Sequence, residues 1–100
     1  MFVLIIQSKQ VKAFDGSILT EAGQKILVCN EPGGWVPATG SRYTGKIEGD
    51  AKIFSSKEAA TEFAKTWGGH PWYVVPGKSF EVVEVKQKFK QVPDGYEPIK

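Results

Sequence analysis

Residues 50–75, DAKIFSSKEAATEFAKTWGGHPWYVV, constrain the fold of this chain more than any other stretch. Ser55 and Glu58 match a capping box, in which two side chains three positions apart satisfy free backbone N–H groups at a helix start. Apolar residues then recur at helical spacing and line one face of the predicted helix: Ala59, Ala60, Phe63, Ala64 and Trp67. The glycine pair at 68–69 ends the pattern, because glycine adopts the left-handed conformation of a helix terminus at low cost. The sequence therefore predicts a helix over 55–67.

Apolar, β-rich runs on both sides of this helix predict a sheet. Residues 2–7 predict a strand buried on both faces, and residues 25–30 predict another strand. Residues 70–76 predict a strand whose ends are set by prolines, and residues 80–91 carry the longest β pattern. The expected fold class is α+β, with an antiparallel sheet of four to six strands and the helix at 55–67 packed on one face.

Turn residues divide the remaining segments. Residues 25–38 predict a hairpin, because Glu-Pro-Gly-Gly separates an apolar run from Trp-Val. Residues 39–50 are polar, contain three glycines and predict a mobile or partner-contacting loop. Pro-Gly-Lys-Ser at 76–79 predicts a hairpin turn. We expect a single domain at 1–92 and, because of its two prolines, an extended tail outside the sheet at 93–100.

Composition narrows the classes of function. A net charge of +2 is too small to indicate a polyanion partner, and it argues against a nucleic-acid mimic, which needs a dense acidic face. Cys29 is the only cysteine, so an intramolecular disulfide is impossible and a reducing compartment is expected. The apolar run at 2–6 is too short for a signal peptide or a membrane span. We expect a soluble protein of the cytoplasm that does not bind membranes.

The residue types that perform chemistry are few and scattered. His70 is the only histidine, and Cys29 lies far from it in an apolar run that is typical of a buried structural thiol. Gly-Lys-Ser at 77–79 lacks the upstream glycine spacing of a phosphate-binding loop. Glu81 and Glu84 lie on opposite faces of a regular strand, so they do not form an acid–base pair. We expect no catalytic residue, no metal, no cofactor and no enzymatic activity.

The aromatic residues are the most specific indication of a binding surface. Trp72 and Tyr73 are adjacent on a predicted strand, so one packs under the helix and the other faces solvent, a second layer or a partner. A covering layer formed by the polar loop explains the pattern equally well. Arg42 beside Tyr43 is a composition that interfaces favour, although an ordinary loop contact is the alternative. The predicted partner contacts are Trp35, Arg42, Tyr43, Trp72 and Tyr73.

A basic stripe supports a different function. Lys86, Lys88 and Lys90 share one strand face with Phe89 between them, an arrangement suited to single-stranded nucleic acid. The structural explanation is that lysines on an edge strand prevent pairing between sheets. The low net charge favours the structural explanation. A third alternative, a small-ligand sensor or small enzyme, requires a concave pocket that the sequence neither shows nor excludes.

The order of several segments is also informative. The segments are GWV at 34–36, YTGKIEGDAKIFSSKEAATEFA at 43–64, PWYVVP at 71–76, FEVVEVK at 80–86 and KQVPDGYE at 90–97. Together, over residues 25–97, they resemble small uncharacterised proteins of tailed bacteriophages. The resemblance implies a strand–helix unit, a terminal strand and a phage origin, and it implies no catalytic residue.

The resemblance also implies a class of function. Small phage proteins without catalytic residues often bind host proteins, and some inhibit defence systems, as anti-CRISPR proteins do. We therefore expect a phage-encoded, non-enzymatic binding protein that acts in the bacterial host cytoplasm and inhibits or redirects a host protein. Because this chain is not acidic, it would block a protein surface or an assembly step, and pairing of two copies through a strand edge remains open.

Overall fold

Antiparallel pairing organises five strands into one sheet. The computed structural model describes residues 1–89 and 93–99, and of residues 88, 89, 93 and 94 it describes the backbone only. The elements are β1 (Phe2–Ser8), β2 (Val11–Lys12), β3 (Ile18–Thr20), β4 (Lys25–Cys29), β5 (Thr39–Arg42), α1 (Lys57–Thr66), β6 (Pro76–Phe89) and β7 (Pro93–Pro98). Five strands form a sheet in the order β5-β4-β1-β6-β7, and β2 pairs with β3 separately. The predicted α+β fold with a four- to six-stranded antiparallel sheet is confirmed.

The first strand lies at the centre of the sheet because its apolar run covers both faces. Leu4 and Ile6 belong to the core cluster beneath α1, whereas Val3 and Ile5 belong to a second cluster on the opposite face. All four side chains are at most 2% exposed. The absence of alternation in the sequence therefore reflects a sheet with a core on each side.

The long strand β6 shows the same two-sided burial. Val82 packs against the cluster under α1 and Val83 packs against the opposite cluster, with regular pairing to β1 at both positions. The strand is therefore regular at Val82 and Val83 and is covered on both faces there. The register shift instead falls near Ser8, which pairs with Pro76 at the start of β6. Residues 76–79 consequently lie in a strand, and the predicted hairpin turn there is wrong.

The helix begins one residue later than the capping-box pattern predicts. Ser56, and not Ser55, is the N-cap, and its Oγ accepts a hydrogen bond from the Ala59 N–H at 3.1 Å. Ala59 is exposed and Ala60 is buried, so the helical face that meets the sheet is narrower than predicted. At the other end Trp67 N–H donates to Phe63 O at 2.8 Å, and Trp67 itself is extended.

Substitution of the two serines tests this helix start. We expect Ser56→Ala to lower the free energy of unfolding by about 1 kcal/mol, because the Ala59 N–H loses its acceptor. Ser55→Ala is the matched control, since Ser55 is exposed and does not cap the helix. Urea denaturation of both variants measures the difference. A larger loss for Ser55→Ala would contradict the observed cap.

Aromatic side chains hold α1 on the sheet. The Phe63 ring lies 5.4 Å from the Phe54 ring and 5.6 Å from the Trp67 ring, measured between centroids. Trp67 is buried in the cluster with Leu4 and Ile6. The Lys52 ammonium lies 5.4 Å from the centroid of the Phe63 ring and makes a cation–π contact with it. The predicted packing of one helix on one face is confirmed.

The polar connection at 39–50 covers the other face of the sheet. Its first residues form β5, which pairs with β4, and Ile47 is buried in the second core cluster. Backbone hydrogen bonds hold the segment: Tyr96 N–H donates to Ile47 O at 2.8 Å and Asn30 N–H donates to Asp50 O at 2.9 Å. The interpretation of this segment as a mobile loop therefore requires correction, and its contact with a partner stays a prediction. The segment covers the second core cluster, whereas Trp72 remains exposed.

Two other strand predictions require correction. β4 pairs with β5 at Thr39–Arg42, so the hairpin is longer than predicted and residues 35–36 lie in its connection. The C-terminal segment is also part of the sheet, because β7 pairs with β6 at the sheet edge. Prolines at both ends of β7 are compatible with this position, since an edge strand leaves one row of N–H groups unpaired. The edges are β5 and β7, and pairing of two copies through either stays a prediction.

Candidate functional site

Five exposed residues from three separate segments meet on one side of the molecule. We call this the aromatic surface, and its members are Phe14, Leu19, Trp35, Pro71 and Trp72. Trp35 is 89% exposed and Trp72 is 76% exposed, whereas tryptophan is usually largely buried. A contiguous exposed apolar patch of this kind marks an interaction site in soluble proteins.

Two grooves run along the aromatic surface, one on each side of Trp72. The first, the Glu31 groove, has a volume of about 390 Å³ and is lined by Glu31, Trp35, Val36, His70, Pro71 and Trp72. The second, the Lys12 groove, has a volume of about 370 Å³ and is lined by Lys12, Ala13, Phe14, Leu19, Pro71 and Trp72. Pro71 and Trp72 therefore form a ridge that both grooves share.

A tight turn after α1 places Trp72 on this ridge. His70 N–H donates to Val74 O at 2.9 Å and closes the turn, and Trp72 N–H donates to His70 Nδ1 at 3.3 Å. The strand predicted at 70–76 is wrong at this point, because Pro71-Trp72-Tyr73 form the turn. The turn directs Trp72 into solvent, and the His70 ring lies against it edge-on at 6.1 Å.

Tyr73 has the opposite role in the same turn. It is half-buried and packs against the core beneath α1, and its hydroxyl bonds the Thr39 hydroxyl. The Thr20 hydroxyl donates to the Tyr73 carbonyl oxygen. Of the predicted pair, Trp72 is thus the exposed residue, and Tyr73 anchors the turn to two neighbouring strands.

The connection between β4 and β5 positions Trp35. Gly34 N–H donates to Glu31 O at 3.2 Å, and Gly34 has a φ of 68°, which favours glycine. A Cβ on Gly33 would lie 2.7 Å from Trp35 Cδ1. Glycine at this position therefore lets the indole lie directly against the backbone.

The hairpin of β2 and β3 contributes residues that sequence reasoning missed. Ala13 N–H donates to Ser17 O at 2.8 Å, and Asp15 Oδ1 accepts from both the backbone and the hydroxyl of Ser17. These hydrogen bonds lower the pKa of Asp15. The hairpin presents Phe14 and Leu19 to the Lys12 groove. The signal in the sequence was that Phe14 and Leu19 lie on either side of an Asp-Gly turn. Strands of two and three residues are too short to bury both side chains.

Arg42 and Tyr43 lie apart from the two tryptophans. Arg42 on β5 pairs with Ile26 on β4, and Tyr43 N–H donates to Lys25 O at 2.9 Å, at the opposite end of β4 from Cys29. Tyr43 is half-buried against the second core cluster. Neither residue belongs to the lining of the two grooves. The structure thus brings together Trp35 and Trp72 from the predicted set and separates the other members.

The basic stripe is only partly described. Lys86 Nζ lies 3.3 Å from Glu97 Oε1 on β7, so its charge is partly compensated by the neighbouring strand. Lys90 lies outside the described residues, as do the side chains of Lys88 and Phe89. Among the described residues β6 pairs with β1 up to Glu84 and with β7 at Val85–Phe89, so the described part of the stripe has a paired strand on one side, as the structural explanation requires. Nucleic-acid binding by this stripe stays a prediction.

Burial keeps Cys29 unreactive. The side chain is 1% exposed, its thiol donates to Leu27 O at 3.4 Å, and burial raises the pKa of the Cys29 thiol. Because the unfolded thiol ionises at a lower pH than the folded thiol, the stability from this group is complete below about pH 8.5 and is lost as the pH rises further. A buried, protonated thiol is not a nucleophile.

Alkylation measures this directly. We expect iodoacetamide at pH 8 to modify native Cys29 at least ~100-fold more slowly than the protein in urea, because reaction requires opening of the sheet. Mass spectrometry of timed samples gives both rates. Equal rates would show that the thiol is accessible in the folded protein.

A third concavity is a candidate for the small-ligand alternative and lies outside the aromatic surface. It has a volume of about 220 Å³ and is lined by Ile5, Ile6, Gln7, Lys25, Ser79, Phe80 and Glu81. Lys25 Nζ and Glu81 Oε1 lie 3.6 Å apart there and compensate one another. The concavity is smaller than typical ligand pockets and has no uncompensated charge among these residues.

Further observations limit the search for a site. Within residues 1–89 and 93–99, no three His, Cys, Asp or Glu side chains are grouped so as to hold a metal ion. In the same described part of the chain, no helix is long and apolar enough to cross a membrane. No protein-family model, curated protein or solved structure matches the chain. The aromatic surface is therefore the feature on which a functional proposal rests.

Proposed function

We propose that this protein is a non-enzymatic binding module that captures a protein partner on its aromatic surface. The supporting observation is that Trp35 and Trp72, 37 positions apart in the sequence, lie exposed on the walls of the same groove. Exposed indoles are costly in water, and each buries roughly 150–250 Å² when a partner covers it. Tryptophan is also the residue type most enriched among dominant contacts of protein interfaces.

The resemblance to small phage proteins suggests the setting of this capture. In that setting the partner is a host protein in the bacterial cytoplasm, which the module inhibits or redirects, and host defence systems are among the candidate targets. The net charge of +2 supports contact with a protein surface over mimicry of nucleic acid, because a mimic must be strongly acidic.

An affinity pulldown from bacterial host lysate tests the proposal. Tagged wild type, Trp35→Ala/Trp72→Ala and Arg42→Ala are compared with and without nuclease treatment, and bound proteins are identified by mass spectrometry. We expect one stoichiometric host protein with wild type and Arg42→Ala, and none with the double variant. Arg42→Ala is the matched control, because Arg42 is exposed but lies outside both grooves.

Other outcomes of the pulldown would contradict the proposal. Recovery that depends on intact nucleic acid would favour the basic stripe at Lys86, and capture that survives the double substitution would place the partner elsewhere. If no protein is captured by wild type, the small-ligand alternative becomes the better explanation.

A further inference from the structure

The shape of the aromatic surface restricts what it can bind. The two grooves share Pro71 and Trp72 as lining residues, so the Pro71–Trp72 ridge separates them. A ligand that fills both must present two apolar groups, one on each side of the ridge. An amphipathic helix requires one continuous groove for its apolar face, so the ridge disfavours it. A strand added to a sheet binds mainly through main-chain hydrogen bonds along one edge, whereas residues from separate segments line both grooves and converge on Pro71 and Trp72.

A polyproline II segment presents apolar groups at a regular spacing along one edge. It has three residues per turn and a rise of about 3.1 Å, so residues i and i+3 lie on the same edge roughly 9 Å apart. Two prolines at that spacing can straddle one indole. Proline rings pack well on aromatic faces, and the segment loses little entropy because its conformation is already populated when it is free. Each indole N–H is also available to a backbone carbonyl of the ligand, which has no internal hydrogen bonds.

The charged residues in the two grooves favour one orientation of the ligand. Glu31 lines the groove that contains Trp35, and it is half-buried there. Lys12 lines the groove that contains Phe14. A basic residue of the ligand is therefore favoured beside Glu31 and disfavoured beside Lys12, because opposite charges attract more strongly near a low-dielectric wall.

We propose that the aromatic surface binds a proline-rich segment of a partner protein, with one proline in each groove and an arginine or lysine beside Glu31. This proposal rests on the proposed function, since it names the kind of segment that the binding module captures. Trp72 separates the two prolines, Trp35 forms the outer wall of the Glu31 groove, and Glu31 selects the basic residue.

Fluorescence titration with synthetic peptides tests the proposal. The probe is a peptide with a Pro-x-x-Pro core and one flanking arginine, and the controls are the same peptide with both prolines replaced by alanine or with the arginine replaced by glutamate. We expect saturable binding of the probe and at least about 30-fold weaker binding of the alanine peptide, as for loss of a dominant contact. We expect about 5-fold weaker binding of the glutamate peptide.

Variants of the protein connect the binding to the grooves. Trp72→Ala should weaken the probe at least about 30-fold, and Glu31→Gln should remove the preference for arginine over glutamate while leaving the preference for proline. Arg42→Ala should bind the probe as wild type does. Equal binding by the alanine peptide, or an unchanged affinity of Trp72→Ala, would overturn the proposal.

Competition separates this proposal from the one on which it rests. If the probe displaces the host protein captured by wild type, both stand. If a host protein is captured through Trp35 and Trp72 but only a helical peptide or an oligonucleotide displaces it, the proline-rich proposal is overturned and the binding module stands. If the probe does not bind and no protein is captured, both fail.

Discussion

Replacing Gly69 with alanine is expected to destabilise the protein by about 3 kcal/mol or more. Gly69 has a φ of 92°, and a Cβ there would overlap the Val74 carbonyl oxygen and lie 2.6 Å from Pro76 Cδ. The left-handed conformation costs a non-glycine residue about 1–2 kcal/mol, and forcing an atom into a filled space costs a further 1–3 kcal/mol. Because a domain of this size has a total stability of roughly 5–15 kcal/mol, urea denaturation should show a large shift of the midpoint.

The neighbouring glycine provides the matched control. A Cβ on Gly68 would meet no atom within 4 Å, and its φ lies outside the left-handed region. We expect Gly68→Ala to change the free energy of unfolding by no more than about 0.5 kcal/mol. Similar losses in both variants would mean that the turn carrying Trp72 does not depend on the close approach at Gly69.

The second large effect concerns binding and not stability. We expect Trp35→Ala/Trp72→Ala to weaken capture of the partner at least about 100-fold while the thermal midpoint stays within a few degrees of wild type. Both side chains are exposed in the free protein, so their truncation leaves no cavity in the core. The two losses should not simply add, because the residues line the same groove.

Replacing Trp67 is expected to lower stability without a direct effect on binding. Its side chain is 8% exposed, stacks on the Phe63 ring and belongs to the core cluster between α1 and the sheet. Trp67→Ala should cost about 3–5 kcal/mol of stability, and it should affect capture only through loss of folded protein. Calorimetry and surface-based affinity measurement on the same samples separate the two quantities. If Trp35→Ala/Trp72→Ala unfolds the protein as Trp67→Ala does, the aromatic surface is a structural element.

The strands and the helix with strong local patterns were predictable. β1 and β4 contain consecutive apolar residues, and such a run is buried only when both faces of the sheet are covered. The helix was predicted from its apolar spacing, but its start was misplaced by one residue. Ser55 and Ser56 are both competent caps, and in the structure Ser56 caps the helix by accepting from the Ala59 N–H.

The edge strands were not predictable from local sequence. β5 reads Thr-Gly-Ser-Arg, which has little β propensity, and its pairing depends on the close fit of Gly40. A Cβ on Gly40 would meet Ile26 and would lie 3.2 Å from Val74 Cγ2. β7 contains two prolines that indicate an irregular tail, and only its pairing with β6 makes it a strand.

Two members of the aromatic surface were among the residues predicted from the sequence, and its geometry was not predicted. Trp35 and Trp72 were identified because a small core cannot absorb every large aromatic residue. Their proximity depends on two turns and on the path of the chain after α1, which no local pattern encodes. Phe14 and Leu19 were missed for the same reason, since a short hairpin brings them to the groove.

Nuclear magnetic resonance of the indole N–H groups tests the central claim most directly. The chain has three tryptophans, and each gives one indole signal in isotope-labelled protein. On addition of the captured partner, we predict that the signals of Trp35 and Trp72 shift and exchange more slowly with water, while the signal of buried Trp67 stays in place. Unchanged Trp35 and Trp72 signals in the presence of a saturating, bound partner would contradict the assignment of the aromatic surface as the binding site.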